Sequence, residues 1–384
     1  VASAYLLDLS RLVSRSGRGQ MTGIDRVEAA YLAHLLGQDR PLFGLIRTRW
    51  GFLLLGQKGC AALHDMVGAP AGLRQTLGQT LGQTLATLRP LALLRRPHIL
   101  LSNLLSHVQQ GAVYVNVGHT NLSASVLRAV QHCGLKSAVL IHDTIPLDHP
   151  EFASDGTHAP FAAKIAATAR FATQVIHISA DARAKTEAYF AASGRLPPAI
   201  LAPLGITLAQ PAPSPVTPTR PYFVALGTIE PRKNLKLLFD LWPNLPQPAP
   251  QLVVIGGKGW ADAALFAQMA QLQAQGDVLH GENLSDGAVV SLMQGARALL
   301  FPSLAEGFGL PPLEAAGLGT TVVASDLPVL REVCGDFPVY LDPRDSYSWM
   351  ETIKTLAQNQ PRAGKKQNLP LWADHFKVVL TQIG

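Results

Sequence analysis

The chain has 384 residues, too many for one ordinary hydrophobic core, so two domains are expected. Hydrophobic residues make up 48% and charged residues 15%, a balance that excludes a disordered chain. The net charge of +6 is unevenly placed: residues 1–220 carry 20 Lys and Arg against 11 Asp and Glu, whereas residues 221–384 carry 12 against 15.

A basic half beside a near-neutral half fits attraction to an anionic partner, and equally a solvated basic face. The longest apolar stretches, such as Leu252–Ile255 and Ala298–Phe301, fall far short of the roughly 20 residues of a membrane-spanning helix. The first residues lack a basic n-region and Asp8 interrupts their apolar run, so no secretory signal is expected. Cys60, Cys133 and Cys334 are scattered and without metal-like spacing, and read as reduced thiols of a cytosolic protein.

In the first half, apolar and β-branched runs predict strands at Tyr5–Leu9, Leu42–Arg47, Val113–Val117, Ala138–Ile141 and Val175–Ile178. Helical periodicity predicts helices near Ile24–Leu36, Ser123–His132, Pro160–Thr168 and Ala180–Ala191. The segment Leu73–Val108 breaks this alternation. Its repeat places Leu73, Leu77, Leu81 and Leu85 four apart, along one helix face, before Pro90 and the Arg95-Arg96 pair. It reads as a covering helix or as a basic amphipathic helix on a membrane.

The stretch Thr207–Pro221, with prolines at 211, 213, 215, 218 and 221, cannot continue a helix or a central strand and is expected as an interdomain linker. After it, strands are expected at Tyr222–Leu226, Leu252–Ile255, Val278–His280, Ala298–Phe301, Thr321–Ala324 and Val339–Leu341. Helices are expected near Leu235–Trp242, Ala261–Gln273, Asp286–Gln294, Pro312–Gly317 and Pro328–Val333. This is the pattern of βαβ units in a parallel sheet. The expected organisation is an N-terminal Rossmann-like domain over 1–206, the linker 207–221, a C-terminal Rossmann-like domain over 222–365, and a closing segment 366–384. Two such domains would face each other across a cleft at the carboxyl ends of their strands.

The segment Phe301–Glu314 (FPSLAEGFGLPPLE) carries the strongest chemical signal. A strand ends, a glycine-containing loop follows, and Pro312 is expected at the first position of a helix. The unpaired N–H groups of that first turn suit a phosphate or a sugar hydroxyl. Glu306 and Glu314 can border one pocket, and carboxylates suit vicinal diols. For Glu314, stabilisation by the helix dipole alone is an equally good account.

A second strand–turn–helix start is Gly227-Thr228-Ile229-Glu230-Pro231-Arg232-Lys233-Asn234. Arg232 and Lys233 can neutralise charge on a departing diphosphate, and the macrodipole disfavours a basic pair placed there for no purpose.

Together with the VVASDLPVLREVCGD stretch that follows, these two segments resemble the donor-binding signature of retaining glycosyltransferases of GT-B fold, glycosyltransferase family 4. That pattern is a Glu, seven residues and a second Glu, with Gly-Phe-Gly-Leu-Pro between, matched here from Glu306 to Glu314. The GTIEPRKN string is similar to the family's basic loop and to its bacterial mannosyl- and rhamnosyltransferases. The resemblance covers residues 222–342 closely and the first half in outline.

By that resemblance, Glu314 would bind ribose hydroxyls and Glu306 a hydroxyl of the transferred sugar. The backbone of Gly307, Phe308, Gly309 and Leu310 would contact sugar and phosphates, with Arg232 and Lys233 on the diphosphate and Gly227 and Thr228 beside it. No cofactor is implied and no metal: no Asp-x-Asp motif occurs. The implied reaction is retaining hexosyl transfer from a nucleotide-sugar, GDP-mannose first, to a saccharide or lipid-diphosphate-linked acceptor in bacterial polysaccharide synthesis. The final stretch Trp372–Ile383 resembles the family's terminal helix, which braces the N-terminal domain. A cytoplasmic protein is implied, peripheral on the inner membrane face through its basic half, with no nucleic-acid partner.

In the first half, His119 and His142 follow strands, which favours a ligand site over the core. The resemblance matches His142 to a histidine that contacts the donor sugar and puts Asp143 on the acceptor side. His177, inside an apolar strand, reads as a satisfied core histidine. The loop Gly17–Gly23 misses the dinucleotide fingerprint by one residue and is expected to line the acceptor side, with Arg18, Thr22, Gly23 and Asp25 as candidates. Gly256 and Lys258, in another strand-to-helix turn, would approach the nucleotide, or the glycines serve the turn alone. Alternatives are a nucleotide-sugar epimerase, a phosphorylase, a silent sugar-nucleotide-binding module and, more distantly, an NAD-dependent oxidoreductase.

Overall fold

The structure, a computed structural model, describes residues 2–68, 80–358 and 366–384. Leu73 and Leu77 of the leucine repeat, and the expected domain end at 365, lie outside the described residues. The chain forms two compact units, Val1–Leu147 with Gly156–Gly205 and Trp372–Gly384, and Asp148–Asp155 with Ile206–Leu371.

Among the described residues, the first unit holds an eight-stranded sheet ordered β4-β3-β2-β1-β5-β6-β7-β8. Its strands are β1 (Tyr5–Asp8), β2 (Leu42–Thr48), β3 (Gly51–Leu55), β4 (Ala92–Arg96), β5 (Val113–Asn116), β6 (Lys136–Ile141), β7 (Gln174–His177) and β8 (Ala199–Leu201). β3 pairs antiparallel with β2 and with β4, and the other neighbours are parallel.

β3 and β4 depart from the expected alternation. The short run Phe52–Leu55 cannot be told from a helix segment by periodicity, and pairing across β2 decides it. Arg95 and Arg96, expected on a helix, lie on β4, because the helix Leu81–Leu88 stops before Pro90 and the chain then pairs with β3. That helix buries Thr84 and Leu88, not Leu81 and Leu85.

The second unit holds an all-parallel sheet ordered β11-β10-β9-β12-β13-β14. Its strands are β9 (Tyr222–Leu226), β10 (Gln251–Ile255), β11 (Val278–Gly281), β12 (Leu299–Phe301), β13 (Val322–Ser325) and β14 (Val339–Leu341). Alternate residues feed two cores: Phe223, Ala225, Leu252 and Val254 pack with Trp242 and Trp349 on one face, and Val224, Val253, Leu299 and Phe301 with Leu292 and Leu330 on the other. Such double burial is why these strands read as continuous apolar runs. Trp349 comes from the helix Ser346–Gln358, which the strand–helix alternation did not single out.

The proline-rich stretch expected as a linker belongs to this unit. It lies along the helix Asp286–Gly295, where Ala212 N donates to Gly287 O at 3.0 Å and Ser291 Oγ to Ala212 O at 2.7 Å. Prolines cannot enter the sheet, but their extended backbone can cover a helix.

The helix Trp372–Ile383 packs within the first unit. His375 is buried, and its Nδ1 faces the carbonyls of Ala202 and Pro203 at 3.1 and 3.0 Å. Nδ1 therefore carries the proton and Nε2 accepts from Tyr31 Oη at 2.8 Å. Phe376 stacks on His34 with ring centroids 3.8 Å apart. Burial pushes the His375 imidazole down to about 4.

Tyr31→Phe leaves that ring nitrogen without its donor and is expected to cost about 1–3 kcal/mol. Because the unfolded imidazole protonates near its ordinary value while the folded one resists, this contribution is present above about 6.5 and is lost as pH falls towards 4. Urea denaturation of both chains at pH 7.5 and 5 measures the two effects, and equal midpoints for Tyr31→Phe and the parent chain would show the contact to be idle.

Candidate active site

In the second unit the chain runs from β9 through β10 and β11 on one side, then returns to β12 on the other. The strand order therefore reverses between β9 and β12. In open α/β sheets ligands bind beyond the carboxyl ends at this point, where the two loops diverge. The loops are Gly227–Asn234 and Pro302–Gly309.

The first loop ends in a turn of 3-10 helix, Pro231–Lys233, and Asn234 takes a left-handed conformation (φ 51°) that redirects the chain into the helix Leu235–Leu241. Leu304 N donates to Arg232 O at 2.8 Å and Arg232 Nη1 to Ala305 O at 2.7 Å, so the two loops are laced together. Lys233 Nζ lies 2.6 Å from Glu306 Oε1, and Arg232 Nη1 lies 2.8 Å from Glu306 Oε2. Glu230, buried and missed as a site residue by sequence reasoning, takes a third contact: Arg232 Nη2 to Glu230 Oε1 at 2.6 Å.

Thus the basic pair is not exposed. Arg232, Lys233 and Glu306 side chains are 19%, 12% and 7% exposed, and two cations face two carboxylates. Burial alone would raise the Glu306 carboxyl, but Arg232 and Lys233 hold it at about 2. Burial lowers the Lys233 ammonium against the pull of Glu306. Lys233 Nζ also sits 4.6 Å from the Phe301 ring centroid, beside a depression lined by Gly227, Phe301, Pro302 and Ser303.

Gly227 and Gly309 are both left-handed (φ 146° and 98°); a Cβ on Gly309 would come 2.5 Å from Leu330 Cδ2. The helix expected from Pro312 begins at Leu310. Its first turn is a poorer anion cradle than expected, because Pro311 and Pro312 have no N–H and Leu313 N already faces Gly309 O at 3.4 Å. The N–H of Leu310 is the donor left in that turn. Glu314, one turn into the helix, is buried, as is Phe308; Gly307 is half-buried.

Gly256 N donates to Gly281 O at 3.0 Å, and a Cβ on Gly256 would fall 2.0 Å from Gly227 O. The loop 256–259 therefore packs directly on the Gly227 loop, where Lys258 bridges Ile229; the Lys258 side chain is exposed and Thr228 is half-buried.

In the first unit the strand order reverses between β1 and β5. Asp8 ends β1 and is buried, accepting from Tyr114 Oη and Asn121 Nδ2, both at 2.8 Å; burial raises its carboxyl. Glu28 is buried beside it, accepts Leu12 N at 3.0 Å, and burial pushes its carboxyl well above the usual range. Its Oε2 has no partner and abuts Gly118, where a Cβ would fall 1.9 Å away. Neither acid was singled out as a site residue. Asp8 left a signal, an acid closing an apolar strand; Glu28 left none.

His119 adopts φ 59° and its Nε2 lies 2.5 Å from Leu140 O; His142 Nε2 lies 2.8 Å from Val117 O. Both rings donate from Nε2 and keep Nδ1 as acceptor, and their centroids are 5.2 Å apart. Burial drives both imidazoles down, to about 3 and about 4, with His142 adding to the depression at His119. His142 belongs to the first unit, whereas the ion cluster lies in the second.

Thr22 and Asp25 are engaged locally. Asp25 accepts Thr22 N at 2.7 Å and Thr22 Oγ1 at 2.8 Å, starting the helix Gly23–Leu36, and Arg11 pairs with it at 2.6 Å. Gly23 and Arg18 are exposed. Asp143 accepts Ile145 N at 3.1 Å, a turn that opens the short helix Ile145–Asp148. His177 is in the core as expected, but neither ring nitrogen has a protein partner, so it is not satisfied. Among the described residues no group of three or more His, Cys, Asp or Glu could hold a metal ion.

The titrations separate the units. The buried imidazoles of His119, His142, His177 and His375 all lie in the first unit and are all depressed, so their contribution is present above about 6.5 and falls away towards 4. Glu306 loses its contribution only as pH falls from 4.5 towards 2. Asp8 and Glu28, raised by burial in the first unit, gain as pH falls and offset part of the loss from the imidazoles. Amide hydrogen exchange on the whole chain at pH 5, compared with pH 7.5, is expected to change in the first unit alone; an equal change in both would contradict the assignment. Glu306→Ala, which removes the carboxylate facing Lys233 and leaves Arg232 with Glu230, is expected to cost about 3 kcal/mol in urea denaturation, and Glu306→Ala/Lys233→Met less than the two single changes added together.

Comparison with known proteins adds an independent line. Residues 209–368 match the family described as glycosyl transferases group 1. The serotype-specific mannosyltransferase WbdA of Escherichia coli is 29% identical over 276 residues, 65% of this chain and 34% of that protein. The O-antigen chain mannosyltransferase RfbU of Salmonella typhimurium is 31% identical over 140 residues, 36% of this chain and 38% of that one. The chain thus spans about a third of the length of the curated relatives it matches. Among solved structures, Anabaena HepE in complex with UDP-glucose shares the fold with a TM-score of 0.59 at 17% identity, over 99% of this chain and 98% of that one.

Proposed function

We propose that this chain, of GT-B fold and matching the glycosyl transferases group 1 family over residues 209–368, transfers a hexose from a nucleotide-sugar to a saccharide or lipid-diphosphate-linked acceptor. The observation that carries this reading is the Lys233–Glu306–Arg232 cluster at the strand-order reversal, inside the matched domain. Mannose is the proposed sugar, on GDP, because the relatives named above are mannosyltransferases.

In the proposed reaction the acceptor oxygen forms a bond to the anomeric carbon on the face from which the diphosphate oxygen departs, with retention. The acceptor proton passes to a phosphate oxygen. Lys233 and Arg232, held in place by Glu306, meet the charge growing on the diphosphate without reorganising, which is the form of stabilisation that lowers a barrier. No metal is assigned to that task. Glu306, Glu314 and the backbone of residues 307–310 hold the sugar and ribose, and the Gly227 and Gly256 loops the nucleotide. The neutral Nδ1 of His119 and His142 suits hydroxyl hydrogen bonds, and neither imidazole supplies a cation.

No helix among the described residues is long and apolar enough to cross a membrane. The proposed location is cytoplasmic, at the inner membrane face, where a lipid-linked acceptor is reached from its headgroup.

A thermal-shift panel of nucleotides and nucleotide sugars is expected to single out GDP and GDP-mannose; a ligand at 100 times its Kd adds about 2.7 kcal/mol. With the donor found, the product linkage read by NMR is expected to keep the anomeric configuration, and a chelator to leave the rate unchanged. Lys233→Ala is expected to lower kcat about 10²–10³-fold, with Lys233→Arg retaining part of it. Near-normal kcat in Lys233→Ala would remove Lys233 from the chemistry, and binding without turnover on any acceptor would favour a silent sugar-nucleotide-binding module.

A further inference from the structure

In the first unit β2 runs parallel to β1, and Asp8, the last residue of β1, pairs with Leu45, so Ile46–Thr48 overhang the carboxyl end of β1. The chain turns back through Arg49 and Trp50 into β3, and β4 ends opposite it, Phe52 facing Arg96. The turn His98–Leu100 then folds against the first turn: His98 Nε2 lies 3.3 Å from Arg49 O, and the His98 and Phe52 rings are 5.1 Å apart. Gly51 is left-handed (φ 147°), and a Cβ there would come 2.1 Å from Arg96 O. The two turns are therefore backbone against backbone, a stiff platform.

This platform presents apolar side chains to solvent. Ile99 is 90% exposed and Trp50 73%, with Leu100 beside Ile99 also exposed. The Arg49 guanidinium lies 5.0 Å from the Trp50 ring, and Arg47, Arg49 and Arg95 are exposed. No Asp or Glu occurs in residues 40–64 or 66–142, the segments that build this corner.

We propose that the Trp50 and Ile99 turns, with Arg47, Arg49 and Arg95, dock this protein on an anionic lipid surface. Charge complementarity selects the partner: arginines on segments that carry no acid of their own are drawn to an anionic leaflet. The side chains then fix the mode of contact. Trp prefers the headgroup level and a bare aliphatic tip inserts among acyl chains, whereas a nucleic acid offers Ile99 nothing to stack on. The turns lie at the same end of the sheet as Asp8, so docking brings the loops after β1 and β5 to the membrane. In this respect the inference deepens the lipid-linked reading of the acceptor and rests on it, while the docking itself stands independently of glycosyl transfer.

Co-sedimentation of the full chain with phosphatidylcholine vesicles, with and without phosphatidylglycerol, tests this. Partitioning is expected to be about tenfold or more stronger on the anionic vesicles and to weaken with salt. Trp50→Ala/Ile99→Ala and Arg49→Glu/Arg95→Glu are each expected to lose about tenfold in partitioning, while Tyr347→Ala, at a 73% exposed site in the other unit, binds as the parent does. Equal binding to both vesicles, or undiminished binding by either double variant, would overturn the proposal. So would sedimentation-velocity evidence that Trp50→Ala/Ile99→Ala abolishes self-association, which would make this corner a contact between copies. Transfer to a water-soluble acceptor is expected to be unchanged in both double variants. If the parent binds anionic vesicles as described yet transfers to no acceptor, the glycosyl-transfer reading fails and the docking surface stands.

Discussion

One carboxylate shared by two cations organises the second unit. β9 and β12 are neighbours in the sheet, but the chain leaves them in opposite directions, and something must hold the diverging loops at a fixed separation. Glu306 does this by accepting Lys233 on one oxygen and meeting Arg232 on the other. Neither side of the arrangement is stable alone. Burial opposes ionisation of the Glu306 carboxyl and the cations overcome it, while burial lowers the Lys233 ammonium and the carboxylate pulls the other way. The glycines follow from the same compression, since Gly256 lets the neighbouring loop rest on the Gly227 carbonyl.

The cluster carries two cations without being strongly cationic. Glu230 and Glu306 balance Arg232 and Lys233, so the resting site is near neutral while its donors are already aimed. The first unit follows the opposite electrostatic rule. Burial drives Asp8 and Glu28 up and His119 and His142 down, so each moves towards its uncharged form. Neutral donors and acceptors suit hydroxyl groups.

Much of this was legible in the residues. The order of strand, glycine turn and helix in the second half, and the placement of Glu306 and Lys233 at strand ends, followed from runs of consecutive residues. The eye fails where the signal is not local. β3 is a short apolar run that fits a helix segment equally well, and the Arg95-Arg96 pair belongs to an edge strand because of its partner, not its own periodicity. Thr22 and Asp25 have the residue types of a ligand site, yet the helix cap and Arg11 engage them. Glu28 is an ordinary helical glutamate until the fold sets it against Gly118.

The sequence by itself determined the alternation of strands and helices in the second unit and the spaced motif around Glu306 and Glu314, because strand and helix periods and a spaced motif are carried by residues close along the chain. Only the tertiary structure decided protonation and partnership. Lys233 and Glu306 are 73 positions apart, and their contact exists because β9 and β12 pair. Whether Arg232 and Lys233 are bare cations or neutralised, and whether His119 and His142 are charged or neutral, depends on burial, which is a property of what the rest of the chain packs around them.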